Sequence, residues 1–104
     1  MSTCEVNKEK YVLYGEHKTR KDLIDLIARK TKISKESIAM TIVDACQHSL
    51  TINQKNDLGL YYFSGLSVVE ICTLMHYGNV YGRVLDRINA AEKRLIKYYK
   101  SIEE

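Results

Sequence analysis

The chain of 104 residues contains no proline and no tryptophan, one phenylalanine, five glycines and three cysteines. Without proline, no helix interior loses an N–H or meets a ring clash. Cys4, Cys46 and Cys72 are odd in number and widely spaced, which argues against a disulfide framework and against a zinc site and suits a reducing cytoplasm. Long apolar runs are missing too. The first eleven residues, MSTCEVNKEKY, have none, so neither a signal peptide nor an anchor is expected, and no later stretch is long enough to span a membrane. There is no glycine-rich phosphate loop, nucleophile elbow or paired-carboxylate motif, and His17, His48 and His76 have no carboxylate or cysteine at metal-ligand spacing. These absences exclude the marked enzyme classes; no catalytic residue, cofactor, metal or small-molecule ligand is expected.

What remains is an ordinary globular composition, 45% hydrophobic and 28% charged, with eight tyrosines supplying most of the aromatic surface. At this length it predicts one domain over residues 1–104 with a single small core. The net charge of +3 is too small to identify a polyanion partner, so placement counts for more. Arg83, Arg87, Lys93, Arg94, Lys97 and Lys100 face only Asp86 and Glu92 before the acidic end Glu103-Glu104, whereas residues 50–74 hold just Lys55, Asp57 and Glu70. A near-neutral segment followed by a basic helix suits a bracing element beside one that meets nucleic acid. The plainer alternative is a solvated helix end that complements its own dipole.

Local signals predict helices throughout. Residues 1–18 are polar and read as either a short helix or an arm. Thr19 with Asp22 opens a helix striped by Leu23, Ile24, Leu26 and Ile27 that stops near Lys32. Ser34 caps a second, burying Ile38, Ile42, Ala45 and Cys46 and ending near His48 or Leu50. Thr51 with Gln54 opens a third, which turns Leu58, Tyr61 and Tyr62 inward and ends at Ser64-Gly65, where glycine takes the left-handed conformation. Ser67 with Glu70 opens a fourth, burying Val68 or Val69, Ile71, Cys72 and Met75. A fifth follows Gly78-Asn79 and runs toward Tyr99 on a stripe of Val84, Ile88, Ala91 and Leu95, with Arg83, Asp86, Arg87, Asn89, Lys93 and Lys97 on its other side. The competing reading of residues 68–84, rich in β-branched and aromatic residues, is a hairpin turning at Tyr77-Gly78-Asn79. The expected fold is therefore all-α, a small five-helix domain: residues 19–50 form N-terminal helices that could serve dimerisation, and residues 51–99 contain a helix-turn-helix.

The runs GLSVVEIC (65–72), GRVLDRINA (82–90) and RLIKYY (94–99) resemble the PapB-type fimbrial (adhesin-biosynthesis) transcription regulators of enteric bacteria. Those proteins are of similar length and share a Gly-x-Ser-x-x-Glu-aliphatic-Cys motif, here Gly65, Ser67, Glu70 and Cys72. They also share a Gly-Arg-rich helix and a closing Arg-Leu-x-x-Tyr-Tyr. The likeness covers the C-terminal half. The segment from Tyr62 through Ile71 is also similar to sigma-factor region 4. The resemblance implies a cytoplasmic, nucleoid-associated protein that binds double-stranded, AT-rich promoter DNA, oligomerises along it and regulates a fimbrial operon. Val68 stands where the family usually has a basic residue, and its Asn-Asn-Gly-Tyr-Phe turn is shortened to Tyr77-Gly78-Asn79-Val80-Tyr81. Both departures shift the burden of contact to the long helix.

On this reading Arg83, Arg87, Lys93 and Lys97 contact phosphates, while Asn79 and Tyr81 approach base edges from the start of the reading helix. Their alternative roles are surface exposure, a helix cap and a core edge. Gly82 suggests close approach of the backbone to another group. Cys72 reads as a small packed hydrophobe, and Tyr98 and Tyr99 as seals of the core or of a subunit contact. Two further classes stay open. LIDLIARKT (23–31) with Ser34-Lys35 looks like the start of the HU architectural fold, although that fold grips DNA with a proline-tipped arm. A helix-turn-helix-shaped module could instead contact a polymerase subunit or another regulator, which Leu85 and Asp86 favour.

Overall fold

The structure is a computed structural model that describes residues 13–103. Cys4 and most of the polar N-terminal segment fall outside these residues; residues 13–15 are helical. Five α-helices follow in order: α1 Arg20–Lys30, α2 Lys35–Ser49, α3 Ile52–Leu58, α4 Val68–Leu74 and α5 Tyr81–Glu103. The architecture is all-α. No strand occurs among the described residues. That removes the hairpin alternative at Tyr77-Gly78-Asn79, and it removes the HU-like alternative, whose fold needs a sheet.

Four of the five helices, α1 to α4, begin where a side-chain oxygen accepts from one of their first N–H groups. Thr19 Oγ1 accepts from Asp22 N (3.3 Å) while Asp22 Oδ2 accepts from Thr19 N (2.7 Å). The same reciprocal box recurs at Thr51/Gln54 (3.2 and 3.1 Å) and at Ser67/Glu70 (3.2 and 2.9 Å). Ser34 Oγ receives Ser37 N at 3.2 Å. Each such cap contributes about 1 kcal/mol relative to alanine. Helix α3 does not stop cleanly. It widens into a π-helical turn over Gly59–Phe63, closed by Ser64 N donating to Gly59 O at 3.0 Å. This turn carries the adjacent Tyr61 and Tyr62 into the core, their rings edge-on at 5.0 Å. Gly65 then reverses the chain at φ +73°.

Helix α5 packs against each of the other four. Its stripe Val84, Ile88, Ala91, Leu95 and Tyr99 is buried with Leu23 and Ile27 of α1, Ile38, Ile42 and Ala45 of α2, Leu58 of α3, and Val68 and Ile71 of α4. Each large aliphatic side chain buried here contributes about 1.5–3 kcal/mol. The Tyr99 hydroxyl stays satisfied through Thr41 Oγ1 at 2.9 Å. Met75 departs from expectation: it lies beyond the last residue of α4 and is 37% exposed. Its N–H still bonds Ile71 O (2.9 Å), but the chain leaves the core there, through His76 at φ 56° and Gly78 at φ +77°. No helix among the described residues is long and apolar enough to cross a membrane.

Candidate nucleic-acid interface

Helices α4 and α5 share the core through Val68, Ile71 and Cys72 on one side and Val84 and Ile88 on the other. The connection between them is short and tied back, with Tyr77 N donating to Cys72 O at 2.9 Å. Residues 14–17 lie against the starts of both helices. The Tyr14 ring meets Tyr81 at 5.5 Å, and His17 Nδ1 donates to Gly65 O at 2.7 Å. Its Nε2 sits 3.3 Å from Glu70 Oε1, an ion pair when the ring is protonated. Glu70 is held below the ordinary carboxylate range chiefly by the Ser67 N–H.

Positions 83, 86, 90, 93 and 97 recur at three or four residues and lie opposite the buried stripe of α5. Arg83, Lys93 and Lys97 are all exposed there, with Asp86 as the one carboxylate on the row. Fourteen residues at a rise of 1.5 Å each separate Arg83 from Lys97 by about 21 Å along the axis. This cationic row belongs to a helix held along its length by four neighbours.

Arg87 is not part of that row. Its Nη1 donates to Asp57 Oδ2 at 2.8 Å, and Asp57 is fully buried. Tyr77 completes the cluster: its hydroxyl donates to Asp57 Oδ1 at 3.3 Å, and its ring lies 5.7 Å from the Arg87 guanidinium. The reading of Arg87 as a solvent-facing partner of Arg83 is therefore corrected. A carboxylate without solvent demands a partner, and Arg87 is the cation within reach. The cluster joins α3, the α4–α5 connection and α5. Asp57 was legible only as a lone acid in an apolar stretch, a signal that sequence reasoning passed over.

Asn79 is exposed and its Oδ1 accepts from the Tyr81 hydroxyl at 3.2 Å, while Tyr81 is half-buried beneath Tyr14. Both residues of the expected reading end are thus engaged locally. The group approaching Gly82 is Tyr14, whose hydroxyl lies 3.5 Å from where a Cβ would stand, an ordinary contact distance. Gly65 and the Ser67/Glu70 box form the turn and cap anticipated for them. Cys72 is buried, and burial raises its thiol, with Asp57 adding to the effect; burial pushes Cys46 up to about 11. Both behave as packed apolar groups.

Sequence reasoning also missed two long-range contacts of α5. The Tyr62 hydroxyl donates to Glu92 Oε2 at 2.5 Å, and burial raises both groups above their ordinary values. Arg94 Nε donates to Ser49 O at 2.9 Å, closing the C-terminal end of α2. No family model, curated protein or solved structure matches the chain.

Proposed function

We propose that this protein is a DNA-binding transcription regulator in which α4 and α5 act as a helix-turn-helix and the outward face of α5 lies against the duplex. The observation that carries this reading is the exposed row Arg83, Lys93 and Lys97 on a helix fixed by packing along its length. Phosphate contacts from these three cations supply most of the affinity and fix the orientation. Asn79 remains the exposed polar group at the start of α5 from which base-edge contact would come. The choice of AT-rich promoter DNA, a fimbrial operon, oligomerisation and a place at the nucleoid comes from the likeness to the PapB-type regulators.

Fluorescence anisotropy with an AT-rich and a mixed-sequence duplex across a salt series tests the reading. Three phosphate contacts give a slope of log K against log salt of about −3, and Arg83→Ala/Lys93→Ala/Lys97→Ala removes most of it. Unchanged binding by that variant, with helix content intact, would overturn the site. A second reading, a module that contacts a polymerase subunit or another regulator, draws on the apolar cleft that Leu60, Phe63 and Met75 line beside the π-helical turn. Failure of the parent protein to bind either duplex at low salt moves the assignment there.

A further inference from the structure

Where the end of α2 meets the last third of α5, a cleft of about 510 Å³ is lined by His48, Ser49, Arg94, Lys97, Tyr98 and Ser101. Among the described residues no carboxylate lines it. The two serine hydroxyls are already committed as donors to backbone: Ser49 Oγ to Ala45 O and Ser101 Oγ to Tyr98 O, both at 2.6 Å. The donors left to face an occupant are the Arg94 guanidinium, the Lys97 ammonium, the His48 ring and the Tyr98 hydroxyl. Arg94 is the fixed member, because its Nε is spent on Ser49 O at 2.9 Å. That contact orients the plane of the guanidinium while leaving its two terminal nitrogens, which carry four of its five N–H donors. Lys97 stands one turn further along the same helix, and His48 faces them from α2.

We propose that this cleft binds a phosphoryl group. Cationic donors converging from two helices, with no carboxylate among the described lining residues, select an anion. A planar guanidinium beside a mobile ammonium is the pairing that suits phosphate, one giving directed hydrogen bonds and the other a point charge. Donors approach from two helices, which a tetrahedral group with three or more oxygens meets better than the two coplanar oxygens of a carboxylate. The inference does not rest on the DNA reading, since a free phosphate and a backbone phosphodiester offer the same oxygens. If the source is the backbone, the cleft anchors a strand beside the row that ends at Lys97.

The test is a titration of the isotope-labelled protein with inorganic phosphate at constant ionic strength, chloride being the balancing anion. The His48 ring and Arg94 Nε–H signals are followed by NMR. Saturable shifts at those two groups are expected, and Lys97→Ala weakens them by about tenfold, the loss of one charge-assisted hydrogen bond. Lys97→Ala and His48→Gln leave the Arg94–Ser49 contact in place, so unchanged far-UV circular dichroism separates lost binding from lost structure. Shifts that are absent, that chloride reproduces, or that Lys97→Ala leaves untouched would overturn the proposal. Adding a short AT-rich duplex to the phosphate-loaded protein identifies the source. Displacement of phosphate assigns the cleft to the DNA backbone, and retention assigns it to a free phosphorylated ligand. Phosphate binding without any duplex binding would refute the regulator reading alone.

Discussion

Replacing Arg87 with methionine asks whether this side chain belongs to the core or to the DNA. Asp57 is 0% exposed and depends on two donors, Arg87 Nη1 at 2.8 Å and the Tyr77 hydroxyl at 3.3 Å. Removing one partner of a buried pair costs about 3–5 kcal/mol, because the other charge is stranded. The Arg87 side chain is 36% exposed, so water already reaches its end of the pair. That screening reduces the expected loss to about 2–3 kcal/mol. In a domain of this size the melting temperature should fall by about 10–20 °C. Asp57→Asn keeps an oxygen to accept from Arg87 and turns its amide NH2 toward the Tyr77 hydroxyl, which can accept, so it should cost less, about 1 kcal/mol. The double replacement Asp57→Leu/Arg87→Met removes both charges together and should recover much of the loss. Urea unfolding followed by circular dichroism gives the stabilities, and anisotropy on the same samples gives DNA binding. An Arg87→Met protein within about 0.5 kcal/mol of its parent, yet deficient in DNA binding, would refute the reasoning and return Arg87 to the phosphate-contacting set.

Burial raises the Glu92 carboxyl above its ordinary 4.5, with the Tyr62 hydrogen bond and Lys18 opposing the rise. A folded-state value above the unfolded one means that the native state binds more protons between them, so stability falls as pH rises through that window. Glu92→Gln, which keeps an acceptor for Tyr62, should therefore raise the urea midpoint at pH 7 and give no such gain below pH 4.5; a lowered midpoint at pH 7 would count against it. Gly65 at φ +73° has its nearest group 4.0 Å from where an alanine methyl would stand, so Gly65→Ala carries only backbone strain, about 1–2 kcal/mol in the same unfolding assay. Gly82→Ala adds an ordinary contact with Tyr14 inside a helix and should stabilise by up to about 1 kcal/mol. With its thiol pushed up to about 11, Cys46 should react with alkylating reagents far more slowly in the folded protein than in urea. Peptide mass spectrometry resolves this, and equal rates would contradict its burial.

Much of the fold was legible because its signals are local. The boxes Thr19/Asp22, Thr51/Gln54 and Ser67/Glu70 bond residues three apart, so the start of each helix is written in consecutive letters. The stripe from Val84 to Leu95 is equally readable, since one helix face repeats every three or four residues. Gly65 was identifiable at its turn because a left-handed residue without strain is nearly always glycine. Periodicity failed at Met75, where the spacing continues but the helix does not. It also failed at Gly59–Phe63, where a π-helical turn changes the register of the two tyrosines.

Residue types and their order thus determined an all-helical chain, the starts of its helices, the buried stripe of α5 and the cationic character of that helix. The tertiary structure alone decided which cations of α5 are tied to other elements. Arg87 and Asp57 are thirty residues apart, Arg94 and Ser49 forty-five, His17 and Gly65 forty-eight. Arg83 and Arg87 look equivalent in one dimension, four residues apart on a basic helix. They diverge because packing α3 against α5 brings a carboxylate shielded from water to the flank of one arginine and not the other. The desolvation of Asp57, a property of the packed chain, then draws Arg87 out of the surface row.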